Sequence, residues 1–201
     1  MTERAARPAG APPAERPADA PPADWLPGDL PPAERVARIL RVDHAGEYGA
    51  RRIYDGQLAV LGRGSPAHAA IRAMAEQERR HLEAFERLIV ERRVRPSALL
   101  PLWHVAGFAL GAATALLGER AAMACTIAVE EVIDGHYARQ AGQLAEREPE
   151  LGAQLAEFRA DELEHRDRAI AEGGEDAPGY TLLRSAIKVG SRLAIWLSER
   201  I

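Results

Sequence analysis

Two short stretches of this chain share one pattern: Glu-Arg-Arg-His at residues 78–81 and Glu-Leu-Glu-His at residues 162–165. On an α-helix, this spacing places the carboxylate and the imidazole on one face, one turn apart. A further glutamate precedes each stretch at almost the same separation, Glu47 before Glu78 and Glu130 before Glu162. The sequence therefore predicts two copies of one helix pair, which follow one another along the chain.

One glutamate from each of two helices and a Glu-x-x-His from each of two others form the ligand set of a ferritin-like bundle with two metal ions. Two matched copies of the pattern are much harder to obtain by accident than one, so we expect all six side chains to act together. The predicted metal ligands are Glu47, Glu78, His81, Glu130, Glu162 and His165. By analogy with such sites, Glu78 and Glu162 bridge the two ions, and the other four ligands bind one ion each.

These glutamates lie within apolar helical stripes that contain no lysine or arginine. A buried carboxylate without a partner costs several kcal/mol, so the stripes need another source of positive charge. Metal ions are the natural source. Oxygen-rich ligation with two imidazoles suits iron, or less well manganese, better than structural zinc.

Other polar residues near these ligands are candidates for a supporting role. Asp161 could orient a ligand histidine, although a solvated helix acid is at least as good an interpretation. Asp43, His44 and His136 could assist the ligands or deliver protons, but a lone histidine is more often structural.

The chain has 201 residues, a net charge of −4 and one cysteine, Cys125. This composition does not favour a nucleic-acid partner, and it excludes an internal disulfide. Nine of the 14 prolines fall in residues 1–33, which we interpret as a disordered Pro/Ala-rich tail without a secretory or mitochondrial signal. The remainder, residues 34–201, is predicted to be one all-α domain, with helices near 34–62, 66–93, 98–117, 119–147, 149–172 and 179–200.

Residues 96–118 include no formally charged side chain. Such a segment is long enough to cross a bilayer, but crossing would separate Glu78 from Glu130, which must meet at one centre. We therefore expect a hydrophobic crossover helix, either buried or exposed to lipid on its outer side. The last helix carries an apolar stripe through Ile187 together with Trp196 and four cations, Arg184, Lys188, Arg192 and Arg200. This amphipathic pattern favours a membrane surface, with packing on the bundle as the alternative.

Several stretches resemble the demethoxyubiquinone hydroxylase family of ubiquinone biosynthesis. They are Arg-Val-Asp-His-Ala-Gly-Glu at 41–47, Glu-Arg-Arg-His-Leu at 78–82, Ala-Met-Ala-Cys-Thr-Ile-Ala-Val-Glu-Glu at 122–131, His136-Tyr137, Phe158-Arg159, Asp-Glu-Leu-Glu-His at 161–165 and Ala-Ile-Trp-Leu-Ser-Glu-Arg at 194–200. The resemblance covers residues 34–201 in order. Tyr48 and Asp134-Gly135 depart from the family pattern beside the ligands but leave the six-residue set intact.

The resemblance implies a ferritin-like di-iron monooxygenase that uses O₂ to hydroxylate the ring of a polyprenylated demethoxyubiquinol. It carries over the same six metal ligands and implies an external reductant, NADH or the quinone pool. No Gly-x-Gly-x-x-Gly occurs, so no Rossmann cofactor domain is expected. It further implies peripheral attachment to the cytoplasmic side of a bacterial inner membrane, a homo-oligomer, and association with other ubiquinone-biosynthesis proteins.

Two other functions share parts of this pattern. A ferritin-like iron store or a peroxide-scavenging di-metal protein could use the same six ligands, but neither needs the uncharged crossover or the apolar C-terminal helix. A membrane-associated scaffold that keeps the metal only for stability is the non-enzymatic alternative.

Overall fold

The computed structural model describes Gly28 and residues 30–201. The predicted tail lies outside the described residues apart from Gly28 and residues 30–33. The described residues form six α-helices and a short 3₁₀ turn at Gly174–Asp176, with no strand among them. The helices are α1 (Pro32–Val60), α2 (Pro66–Glu91), α3 (Leu100–Leu116), α4 (Glu119–Leu144), α5 (Pro149–Ala171) and α6 (Tyr180–Ser198). The predicted all-α fold is therefore confirmed, and each helix ends within a few residues of its predicted bound.

The four long helices α1, α2, α4 and α5 bury the apolar stripes that the sequence contains. One core cluster joins Tyr54 of α1, Ile71 of α2, Met123 of α4 and Ala169 of α5. This arrangement is the four-helix bundle predicted from the two helix pairs. A local signal sets the start of α2, which follows Ser65, whose Oγ accepts a hydrogen bond from the backbone N–H of His68 at 3.0 Å.

Helix α3 packs against α1 with almost no side chain between the two backbones. A Cβ at Gly56 would collide with the backbone of Phe108, and a Cβ at Gly111 would collide with the backbone of Ile53. A Cβ at Gly107 would similarly meet the backbone of Gly49. Glycines at these positions allow the uncharged helix to lie directly along α1, as small residues do in closely packed apolar helices.

The outer sides of α3 and α6 expose large apolar side chains. Leu116 on α3 is 75% exposed, and Leu182 on α6 is 77% exposed. The other exposed members are Leu102, Val105, Leu117, Val189, Leu193 and Trp196. The sequence left two interpretations of the crossover helix, fully buried or exposed on an apolar outer side, and the structure favours the second. Within the described residues, no helix is both long and apolar enough to span a membrane.

The predicted surface of α6 needs a correction. The apolar stripe through Ile187 faces the bundle, whereas a second stripe through Leu182 and Trp196 is the exposed one. Two of the four predicted cations hold α6 in place, because Arg184 and Lys188 both bind Glu131 of α4, with the Lys188 Nζ to Oε2 distance at 2.7 Å.

Candidate metal centre

The six predicted ligands meet at the middle of the bundle, and each is at most 2% exposed. The structure forms two groups of closely spaced ligand atoms, in each of which all the atoms lie within 4.8 Å of one another. The first group is Glu47, Glu78, His81 and Glu162; the second is Glu78, Glu130, Glu162 and His165. Glu78 and Glu162 belong to both groups, which is the arrangement of a binuclear centre with two bridging carboxylates.

The two imidazoles point the same nitrogen toward this centre. His81 Nδ1 lies 3.1 Å from Glu162 Oε1, and His165 Nδ1 lies 3.2 Å from Glu78 Oε1. Their outer nitrogens are held across the helix pair: His81 Nε2 lies 3.0 Å from Asp161 Oδ2. His165 Nε2 lies 3.0 Å from Gln77 Oε1. Asp161 thus lies where the sequence predicted a supporting acid, and Gln77 holds the corresponding position in the other half.

Two tyrosines hold Glu47 and Glu130, the two carboxylates that each belong to only one ligand group. Tyr54 of α1 donates a hydrogen bond to Glu130 Oε1 at 2.8 Å, and Tyr137 of α4 donates one to Glu47 Oε1. Sequence reasoning gave neither tyrosine a role at the centre. The signal was present, because each tyrosine follows its own helix's glutamate by two helical turns along the same face.

The carboxylates of the centre repel one another, and the pKa values of Glu78 and Glu130 show this repulsion. Burial, followed by the charges of Glu162 and Glu47, raises the pKa of Glu78 well above its usual value. Burial and Glu162 also raise the pKa of Glu130. Burial lowers the pKa of His81, but the carboxylates of Glu162 and Glu47 outweigh it and raise that pKa to about 11. Positive charge placed among these carboxylates would therefore stabilise the site.

The hydrogen bonds of the centre are incomplete in a way that fits metal ions. Each of the four glutamates has at least one buried carboxylate oxygen with no hydrogen-bond partner among the described residues. Leaving buried polar atoms unpaired costs free energy, and all of these glutamates belong to the two ligand groups. Carboxylate oxygens together with neutral imidazoles are the donors that divalent iron or manganese binds. The residues present therefore fit a pair of such ions.

The remaining predicted polar residues lie next to the centre rather than within it. Asp43 Oδ1 lies 3.2 Å from His136 Nε2 and accepts a hydrogen bond from Gln140 Nε2 at 2.8 Å. Burial raises the pKa of Asp43 by more than its contacts with His136 and Gln140 lower it, so this pKa is above its usual value. His44 is also buried, and its Nδ1 has no hydrogen-bond partner in the described part of the chain. Sequence reasoning missed Gln140.

A cavity of about 280 Å³ lies between α1, α3, α4 and α6. Most of its wall is apolar, formed by residues such as Ile53, Leu110 and Val129. Four polar residues of the centre and its surroundings also line it: Asp43, Glu47, His136 and Tyr137. An apolar chamber with a few polar groups in its wall is typical of a site that binds a largely apolar small molecule.

Residues 34–198 match the family model described as "Ubiquinone biosynthesis protein COQ7". The chain is 58% identical to a 3-demethoxyubiquinol 3-hydroxylase of Rhodospirillum rubrum, over 89% of this chain and 84% of the relative. It is 55% identical to the human mitochondrial NADPH-dependent 3-demethoxyubiquinone 3-hydroxylase, over 83% of this chain and 78% of the relative. The mitochondrial 5-demethoxyubiquinone hydroxylase of Saccharomyces cerevisiae is 44% identical, over 82% of this chain and 77% of the relative.

Proposed function

The chain belongs to the COQ7 family of ubiquinone biosynthesis proteins, and we propose that its six-residue centre holds two iron ions and uses O₂ to hydroxylate a polyprenylated demethoxyubiquinol. The hydroxylase activity itself follows from the family and from relatives that are 58% and 55% identical. One observation carries the assignment of the centre: two groups of buried ligand atoms that share Glu78 and Glu162.

Two bound iron ions would supply the reducing electrons and the oxygen-binding position that a monooxygenase reaction requires. The chain's own residues hold them. Glu78 and Glu162 would bridge the ions, while Glu47 with His81 and Glu130 with His165 would complete one ion each. The hydrogen bonds from Tyr54 and Tyr137 fix the two non-bridging carboxylates, so these groups are oriented before any metal binds.

The apolar cavity supports a ring-binding role, because it borders both the centre and the helices with exposed apolar sides. Glu47 and Tyr137 lie in its wall next to the ligand groups, and Gly190 and Ala194 of α6 form part of its far side. A ring bound there would lie beside the centre with little water around it. We propose that the long isoprenoid tail leaves the cavity toward α3 and α6.

The exposed apolar sides of α3 and α6 support peripheral attachment to a membrane. We place this attachment at the cytoplasmic side of a bacterial inner membrane, where the substrate is dissolved. An external reductant, NADH or NADPH, supplies the electrons; the printed name of the human relative specifies NADPH. Homo-oligomerisation and association with other ubiquinone-biosynthesis proteins stay predictions.

The rival di-metal functions fit less well. An iron store or a peroxide-scavenging protein needs small inorganic substrates, and the apolar cavity beside Glu47 has no role in either. The relatives named as hydroxylases do not favour these functions.

The test is complementation of a bacterial strain that lacks its demethoxyubiquinol hydroxylase. The wild-type chain should restore ubiquinone, whereas Glu130→Gln and Glu162→Gln should leave the demethoxy precursor accumulating, as measured by mass spectrometry of lipid extracts. Thr126→Val, a buried change outside the ligand groups, is the matched control and should restore ubiquinone. Normal ubiquinone levels with Glu130→Gln and Glu162→Gln would contradict the proposal.

A further inference from the structure

Outside the two ligand groups, the inner wall of the cavity contains a buried acceptor atom that nothing in the described part of the protein satisfies. Asp43 is 2% exposed and lines the cavity. Its Oδ1 accepts a hydrogen bond from Gln140 Nε2 and lies 3.2 Å from His136 Nε2. Its Oδ2 is buried and has no hydrogen-bond partner among the described residues. Such an atom is unfavourable to bury unless a ligand or water donates to it.

Several other polar groups of this wall already have partners. Tyr137 donates its hydroxyl hydrogen to Glu47, and Trp103 Nε1 donates to Ser198 Oγ at 3.0 Å. Glu47 belongs to the first ligand group. Asp43 Oδ2 is thus a buried acceptor without a partner beside the centre, which suits a ligand with an O–H or N–H group.

The two halves of the chain show that this acceptor does not serve the metal ligands themselves. The offset in sequence that relates Glu47 to Glu130 also relates Asp43 to Thr126, and Ile53 to His136. The second half nevertheless contributes its three ligands, Glu130, Glu162 and His165, without a carboxylate at the position of Asp43. The cavity borders Asp43 but not Thr126, so of the two equivalent positions only the one beside the cavity carries a carboxylate.

We propose that Asp43 Oδ2 accepts a hydrogen bond from one ring hydroxyl of the substrate and thereby positions the ring beside Glu47; this inference rests on the proposed function. Asp43 and Glu47 lie one turn apart on α1, where Cβ atoms are about 5–6 Å apart, so a ring held at Asp43 lies beside the ligand group. A para-hydroquinone has the required O–H donor. The oxidised benzoquinone has only acceptor oxygens and would place one of them against the carboxylate.

The test is a binding series on the anaerobic, reduced, iron-loaded protein, in which neither the metal nor the probe can be oxidised. The probes are a short-chain methoxy-methylhydroquinone, its two monomethyl ethers and its dimethyl ether. The wild-type protein should bind one monomethyl ether and the dimethyl ether about 10- to 100-fold more weakly than the hydroquinone, because a hydrogen bond is lost and the buried Oδ2 is left without a donor. The other monomethyl ether should bind within a few-fold of the hydroquinone.

Asp43→Asn should remove this preference, because an amide N–H at the Oδ2 position donates equally well to a hydroxyl or an ether oxygen. Thr126→Val, at the equivalent position of the other half, should keep the wild-type preference. Metal content and melting temperature establish that each variant is folded. If Asp43→Asn is not folded, the wild-type ether series alone decides the question.

Equal binding of the hydroquinone and all its ethers by the wild-type protein would overturn the inference, as would an unchanged preference in Asp43→Asn. If the wild-type protein hydroxylates the hydroquinone but shows no such preference, only the role of Asp43 is lost. If it neither binds nor hydroxylates any probe, the proposed function fails as well.

Discussion

The first half of the chain, α1 to α3, and the second half, α4 to α6, are two versions of one unit. Each half has a helix with a glutamate and, two turns later, a tyrosine; then a helix with Glu-x-x-His; then an apolar helix whose outer side is exposed. Each tyrosine holds the other half's glutamate, and each imidazole is held by the other half's second helix. The ligand groups are therefore built by exchange between the halves.

The halves differ where the cavity lies. Asp43 and His136 form a polar pair in the cavity wall, whereas the equivalent positions are Thr126 and Ile53. Along the later part of α1, the glycine contacts bring α3 directly against the backbone. Both halves thus contribute ligand atoms to the centre, whereas the cavity borders Asp43 and His136 but not Thr126.

The largest effect is expected at the two residues that both ligand groups share. Glu78→Gln and Glu162→Gln each remove a carboxylate from both ligand groups, so each should abolish binding of both ions. Activity should fall by more than about 100-fold, since even supporting residues outside the ligand set cost roughly 10- to 100-fold. Metal analysis of purified protein checks this. Retention of two ions in either variant would break the proposed sharing.

A smaller effect should distinguish the two imidazole supports. Asp161 offers His81 a charged acceptor, whereas Gln77 offers His165 a neutral one. Hydrogen bonds to charged groups are about twice as strong as neutral ones. Asp161→Ala should therefore weaken retention of one ion by about 10- to 100-fold, and Gln77→Ala should weaken the other less, as measured by competition with a chelator. A larger loss with Gln77→Ala would contradict this asymmetry.

The closely packed end can be tested by adding a single methyl group. A Cβ at Gly111 would collide with the backbone of Ile53, which cannot move aside as a side chain can. Gly111→Ala should lower the free energy of unfolding by about 1–3 kcal/mol, measured by denaturant titration. Gly142→Ala, where a Cβ meets open space, is the control and should be neutral or stabilising. Equal stability of the two variants would show that the contact is not tight.

The smallest effects concern how each half holds its apolar helix. Tyr48 and Glu131 directly follow equivalent glutamates. The Tyr48 hydroxyl lies 2.7 Å from His104 Nδ1 of α3, and Glu131 binds Arg184 and Lys188 of α6. Tyr48→Phe and Glu131→Gln should each lower the free energy of unfolding by about 1 kcal/mol or less, because both contacts are partly exposed. A loss above about 3 kcal/mol in either variant, measured by denaturant titration, would contradict this.

The Glu131 contribution should depend on acid. Burial opposes ionisation of Glu131, but Arg184 and Lys188 outweigh it and lower the pKa of this carboxyl in the folded protein. Its stabilisation is therefore present above the unfolded pKa of about 4.3 and is lost as the pH falls through the lower folded pKa. The stability difference between Glu131→Gln and wild type should shrink below about pH 4. A difference that stays constant from neutral pH to about pH 3 would contradict this origin.

Much of the fold could be predicted because local signals and helical periodicity agree along most of the chain. The cap at Ser65 and the proline after it fix the start of α2, and the Glu-x-x-His spacing locates the ligands on two helices. Periodicity was weakest for α4, where every residue from Ala121 to Glu130 is buried. A helix enclosed by α3, α5 and α6 has no solvent face there, so one stripe describes it incompletely.

What the sequence could not provide is the pairing between helices. Gln77 and Gln140 are ordinary polar residues until a histidine is placed beside each of them. Arg184 and Lys188 look like free cations on α6 until Glu131 faces them. The glycines of α3 could be recognised as small residues, but their closeness to α1 depends on the crossing of two backbones.

The proposed function depends on one claim. Six side chains, contributed by the two duplicated halves, hold one binuclear iron centre. Metal analysis combined with Mössbauer spectroscopy of the natively iron-loaded protein tests it most directly. We predict two iron ions per chain that form one coupled pair, and loss of both with Glu162→Gln. One iron ion per chain, or two that behave independently, would contradict the claim.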